Sequence, residues 1–115
     1  MQDRSPEAKK SLADRLGIIG ATFYHLESAN FGVESVSDIK KALQGIDPNK
    51  TQVLAIDLGK VTYINERGVN VLLGLRNRFR KVGSEVVLLD PGKQCVEKLD
   101  QIGVLEDFRH FDSKK

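Results

Sequence analysis

The chain has 115 residues, 40% of them hydrophobic and 30% charged, and its 18 Lys and Arg nearly balance 16 Asp and Glu to leave a net charge of +2. That length supports one domain able to bury roughly two-thirds of its unfolded surface, and the apolar content excludes an extended disordered chain. One cysteine, Cys95, and two histidines, His25 and His110, exclude an internal disulfide and a Cys-cluster zinc site, and point to a reducing compartment.

Residues 1–7 mix charges without an apolar stretch, which predicts a cytoplasmic protein rather than an exported one. Ser5, Pro6 and Glu7 have the chemistry of a helix start, and Gly17 of a stop. The apolar content between them is thin, so residues 1–17 read as an N-terminal arm or short helix ahead of a domain at 18–115. Residues 18–26 are rich in β-branched and aromatic side chains and predict one strand, or two short ones broken near Gly20. A polar stretch, 27–35, closes that region. Val36, Ile39, Leu43 and Ile46 then recur at helical spacing behind Ser37, with Gly45 and Pro48 as terminators.

Val53-Leu54-Ala55-Ile56 is a continuous apolar run ending at Asp57, the pattern of a buried strand. The next helix starts at Asn65, whose side chain can cap it. Glu66 lies in its first turn, and Val69, Leu72, Leu73, Leu75, Phe79 and Val82 form its apolar face before Gly83. Residues 85–90 form another buried strand, broken by Pro91 and Gly92. A third helix carries Cys95, Val96, Leu99 and Ile102, with Gly103 as a left-handed cap. Val104, Leu105, Phe108 and Phe111 predict a short last strand or turn. Strands alternating with helices imply an α/β fold, a mostly parallel central sheet with helices packed on it.

In such folds chemistry gathers at the carboxyl ends of strands, here residues 57–68 and 90–93. Neither stretch has the glycine pattern of a phosphate-binding loop, and no G-x-S-x-G elbow accompanies the two histidines. A receiver domain would need an early acidic pocket for a divalent cation, whereas the first strand is followed by an isolated Glu27. No catalytic residue, cofactor or metal site is therefore expected. The longest apolar runs span four residues against the roughly 20 that cross a bilayer, so no membrane insertion is expected either.

The string Val53-Leu54-Ala55-Ile56-Asp57-Leu58-Gly59-Lys60-Val61-Thr62-Tyr63-Ile64, continued by Asn65-Glu66-Arg67-Gly68-Val69-Asn70-Val71-Leu72-Leu73, resembles the core of the STAS family, the domain of anti-sigma factor antagonists and of sulfate transporter tails. The usual pattern there is an apolar strand, Asp-Leu, Val-Thr-Phe-Ile, Asp-Ser-x-Gly and a Leu-rich helix. Lys81-Val82-Gly83-Ser84-Glu85-Val86-Val87-Leu88-Leu89 resembles the following turn and strand, and residues 99–108 the closing helix and Gly-x-x-x-x-Phe turn. Upstream the resemblance lies only in the order of elements. It implies a non-enzymatic module that binds a protein partner, a kinase-like anti-sigma factor in the antagonists. In switchable members the motif serine is phosphorylated, which weakens binding, and a phosphatase restores it. A second implication is a soluble accessory subunit of a membrane transporter.

Here the motif positions hold Asn65 for Asp, Glu66 for Ser, and Gly68 for Gly. An anion in a first helical turn meets unpaired N–H groups and the positive end of the dipole, a gain of roughly 0.3–1 kcal/mol when exposed. Glu66 supplies about one negative charge where phosphoserine carries about 1.5 to 2, so it is a partial mimic. Two readings stand: an ordinary capped helix start, or a binding surface without the serine switch, with Thr62 or Ser84 as alternative acceptors. Residues 66–82 concentrate charge, with five cations against Glu66, a net +4 against −2 for the rest of the chain. Arg67, Asn70, Gly74, Asn77 and Lys81 recur at spacings of three or four and predict one exposed strip beside Thr62, Asn65, Glu66 and Gly68. That strip either docks an acidic protein partner or is a solvated face with cations at its negative end. Short and without interleaved aromatics, it does not read as a nucleic-acid site. Cys95 and His110 read as core and surface residues, and oligomeric state is left open.

Overall fold

A computed structural model describes residues 21–33 and 36–112. The expected arm or helix at 1–17 lies outside these residues. Strands β1 (Ala21–His25), β3 (Val53–Asp57), β5 (Glu85–Leu89) and β6 (Arg109–Phe111) form one sheet in the order β1-β3-β5-β6, with every neighbouring pair parallel. Helices α1 (Val36–Gln44), α2 (Glu66–Arg80) and α3 (Lys93–Ile102) make the crossovers. The strand order advances in one direction, and such crossovers have a single hand, so all three helices fall on the same face. Ile39, Leu43, Leu72, Phe79, Cys95 and Leu99 accordingly share one core with Leu54, Ile56, Val86 and Leu88. On the opposite face Ala55, Val87 and Leu89 are buried among Ala21, Phe23, Val53 and Phe111. Burial on both faces is why β3 and β5 read as unbroken apolar runs.

Two short strands depart from the sequence expectation. β2 (Asn30–Phe31) lies in the stretch read as polar loop, and β4 (Tyr63–Ile64) in the approach to α2. They pair in parallel as a separate two-stranded sheet. Two residues carry no detectable period, so this pairing had no local signature. It is decided by depth: Phe31 and Ile64 are fully buried, and both join the helix-side core.

α1 includes Ser37 as its second residue rather than starting behind it. At the other end of the fold Gly103 sits at φ 88°, and both its own N–H and that of Val104 reach the carbonyl of Leu99, closing α3. Ile102, expected in the apolar stripe of that helix, is its last residue and is instead 37% exposed. The tail makes a 3₁₀ turn at Leu105–Asp107 and then β6, with Phe108 buried between them.

Candidate functional site

The turn that begins α2 is assembled from four directions. Asn65 has extended backbone (φ −125°, ψ −171°), and its Oδ1 accepts from the N–H groups of Arg67 (3.0 Å) and Gly68 (3.3 Å). This is the capping expected from the sequence, and it satisfies two orphan donors of the helix. Gly68 is buried because the Phe31 carbonyl of β2 lies directly against it, and Ile64 Cγ1 would stand 2.8 Å from any Cβ placed there. Gly32 packs in the same way onto the Asn65 side chain. Both glycines are therefore demanded by close approach of a neighbouring segment.

From α3, Gln94 reaches across to β4. Its Oε1 accepts the Ile64 N–H and its Nε2 donates to the Ile64 carbonyl, both at 2.8 Å. A side-chain amide thus occupies the place of a missing third strand on the open edge of β4. Behind the turn, the Asp57 carboxylate pairs with His25 Nδ1 at 2.8 Å and accepts the Gly59 N–H at 2.9 Å, tying the carboxyl ends of β1 and β3 together. The ion pair Lys60–Glu27, at 2.5 Å, bridges the same two loops, and Glu27 lifts the Lys60 ammonium above its ordinary range. Asp57 thus belongs to the scaffold of the site.

On this frame Glu66 is the first residue of α2, exposed and unpaired among the described residues. Thr62 is exposed, and its hydroxyl donates to the Ala29 carbonyl at 3.1 Å. Ser84 is half-buried, its hydroxyl donating to the Pro48 carbonyl. Arg67, Asn70, Gly74, Asn77 and Lys81 are all exposed, as the spacing predicts. Two other cations of the helix are committed elsewhere. Arg76 is 13% exposed and faces Asp107 at 3.5 Å. Arg78 donates to the carbonyls of Leu43 (2.9 Å), Gln44 (3.2 Å) and Ile46 (2.9 Å), gathering acceptors at and just beyond the end of α1. The concentrated charge is thus partly a helix–helix fastening, a role invisible before α1 and α2 are side by side.

Sequence reasoning also missed the groove between these two helices, with a volume of about 590 Å³. Arg67, Asn70 and Gly74 of the strip form its α2 wall, while Ser37, Lys40 and Gln44 of α1 form the other. Val36, Leu43, Val71 and Leu75 provide an apolar floor. Asn77 and Lys81 stay outside it. Its signal was present in pieces, since Lys40 sits one residue after core-facing Ile39, but pairing the two walls requires the tertiary fold.

No group of three or more metal-ligating side chains occurs among the described residues, and no described helix is long and apolar enough to cross a membrane. Cys95 is buried, which pushes its thiol up to about 11, and His110 is exposed. The STAS domain model matches residues 14–115. The chain belongs to the STAS family. Among solved structures, this STAS domain is similar to a sulfate transporter family protein from Wolinella succinogenes, with TM-score 0.69 and 20% identity over 81% of this chain and 77% of that one. It is also similar to the anti-sigma factor antagonist SpoIIAA in its unphosphorylated form, with TM-score 0.66 and 16% identity over 80% of this chain and 78% of that one. SLC26A9 matches with TM-score 0.62 and 22% identity, over 76% of this chain and 17% of that one. No curated protein matches by sequence. At these identities the structures share the STAS fold, which is the expected architecture.

Proposed function

We propose that this STAS domain is a non-enzymatic protein-binding module that engages a kinase-like anti-sigma factor, or a regulator like it, through Asn65, Glu66 and Arg67, on a turn shaped by the buried Gly68, and through the exposed face of α2. The observation that carries the reading is the placement of Glu66. It stands exposed at the first position of a helix whose cap, β2 contact and Gln94 clamp hold the turn in one conformation. A surface held that firmly needs little ordering on binding. The resemblance puts the family's phospho-acceptor at this carboxylate, and on this reading the serine switch is lost from that position. The likeness to SpoIIAA, described as an anti-sigma factor antagonist, supports this choice of partner.

A second reading, an accessory subunit of a membrane transporter, is favoured by the likeness to the Wolinella sulfate transporter family protein and to SLC26A9. Affinity capture of the full chain from its native cell separates the two. Recovery of an ATP-binding regulatory kinase, lost with Glu66→Lys, supports the first; recovery of a transport subunit overturns it in favour of the second.

A further inference from the structure

We propose that the groove between α1 and α2 is a docking site for an acidic amphipathic helix of the partner. The inference rests on the protein-binding reading of this face and specifies the chemistry of what binds. Three features of the groove point the same way.

Its floor is apolar, with Val36 and Val71 half-exposed above the buried Leu43 and Leu75, so an occupant gains by covering it. Its rim is cationic. Lys40 on α1 and Arg67 on α2 face it from opposite sides, Arg78 adds its charge from between the helices, and among the described residues no carboxylate lines the groove. Neither Lys40 nor Arg67 has an ion-pair partner among the described residues. Finally, Gly74 leaves a gap in the α2 wall, with nothing within 4 Å of where its Cβ would stand. That gap admits a side chain from an incoming helix.

The dimensions fit. α1 has nine residues, so at 1.5 Å per residue the walls run side by side for about 13 Å, or two to three turns of a third helix. Apolar anchors at i, i+3 or i+4, and i+7 would lie on the floor, with flanking Glu or Asp meeting Lys40 and Arg67. A second copy of this chain is a poor occupant, because no described helix offers an acidic face: α1 has Asp38 against Lys40 and Lys41, α2 is basic, and α3 balances Lys93 and Lys98 with Glu97 and Asp100. Among the described residues the walls carry no exposed aromatics, which argues against single-stranded nucleic acid.

The test is selection of a random 16-residue phage-displayed peptide library on the immobilised full chain, with the enriched peptides measured in solution by fluorescence anisotropy. Acidic sequences with apolar residues at helical spacing are expected. Their affinity should fall at least about tenfold with Gly74→Leu, which fills the gap at an open helical position, and about tenfold with Lys40→Glu and Arg67→Glu together. Thermal melting of Gly74→Leu at or above the parent temperature shows that folding is intact. Glu66→Lys is measured beside them: capture of the native partner that survives this change defeats the role of the turn, whereas peptide binding that survives Gly74→Leu defeats the groove. Enrichment of basic or non-periodic sequences overturns the proposal. So does failure to enrich any peptide, saturable dodecanoate binding in place of peptide binding, or a dimer that Gly74→Leu dissociates.

Discussion

Gly68 and Gly74 lie in the same helix, six residues apart, and alanine at each is expected to change stability with opposite sign. In a helix interior alanine is favoured over glycine by about 0.8–1 kcal/mol. At Gly74 nothing stands in the way, so Gly74→Ala should gain that amount and raise Tm by about 3–5 °C. At Gly68 the new methyl meets the Phe31 carbonyl and Ile64 Cγ1. The carbonyl is fixed backbone and also accepts the Asn65 N–H at 3.4 Å, so relieving the clash displaces β2 and weakens that bond. Overpacking of this kind costs about 1–3 kcal/mol and a weakened hydrogen bond about 0.5–1.5. Against a gain of about 1 kcal/mol, the net for Gly68→Ala is a loss of about 1–3 kcal/mol. Urea unfolding followed by circular dichroism measures both variants against the parent at constant slope. If Gly68→Ala proves as stable as Gly74→Ala, packing of β2 is not the reason for glycine in the motif, and the account of the turn fails.

Asn65→Ala should cost about 1 kcal/mol through loss of the cap, while Asn65→Asp, which can cap equally well and adds a charge that suits the helix dipole, should keep full stability in the same unfolding assay. Arg78→Lys cannot reproduce three guanidinium contacts and should lower stability by about 1.5–3 kcal/mol, with faster amide exchange confined at first to the last turn of α1. Gln94→Leu should leave the Ile64 N–H and carbonyl without their side-chain partner, costing about 1–3 kcal/mol and speeding exchange at the Ile64 amide. For Cys95, burial raises the thiol from 9.0 to about 11. The folded state therefore holds its proton where the unfolded state has lost it. This contribution is fully present below pH 9 and is lost as pH rises toward about 11, a fall of about 2–3 kcal/mol that should be missing from the alkaline limb of Cys95→Ala.

Read alone, the sequence determined the α/β class, the two central strands, the three helices, the Asn65 cap and the left-handed Gly103. Each depends on interactions within a few residues or on an apolar period that one segment carries by itself. The family, too, was legible, because the Asp57-Leu58 strand end, the helix start and the closing turn recur in order. Tertiary structure alone decided what the functional face is made of. β2 and β4 are too short to show a period and exist because each offers the other its backbone bonds over a buried Phe31 and Ile64. Gln94 and Gly32 support the turn from segments distant in sequence. The charge on α2 divides into Arg78 and Arg76, held by neighbouring elements, Arg67, facing a groove whose second wall is α1, and the exposed Arg80. Local propensity places a side chain on one face of its own helix, but whether that face meets solvent, a carbonyl or a cleft depends on which element the chain brings beside it.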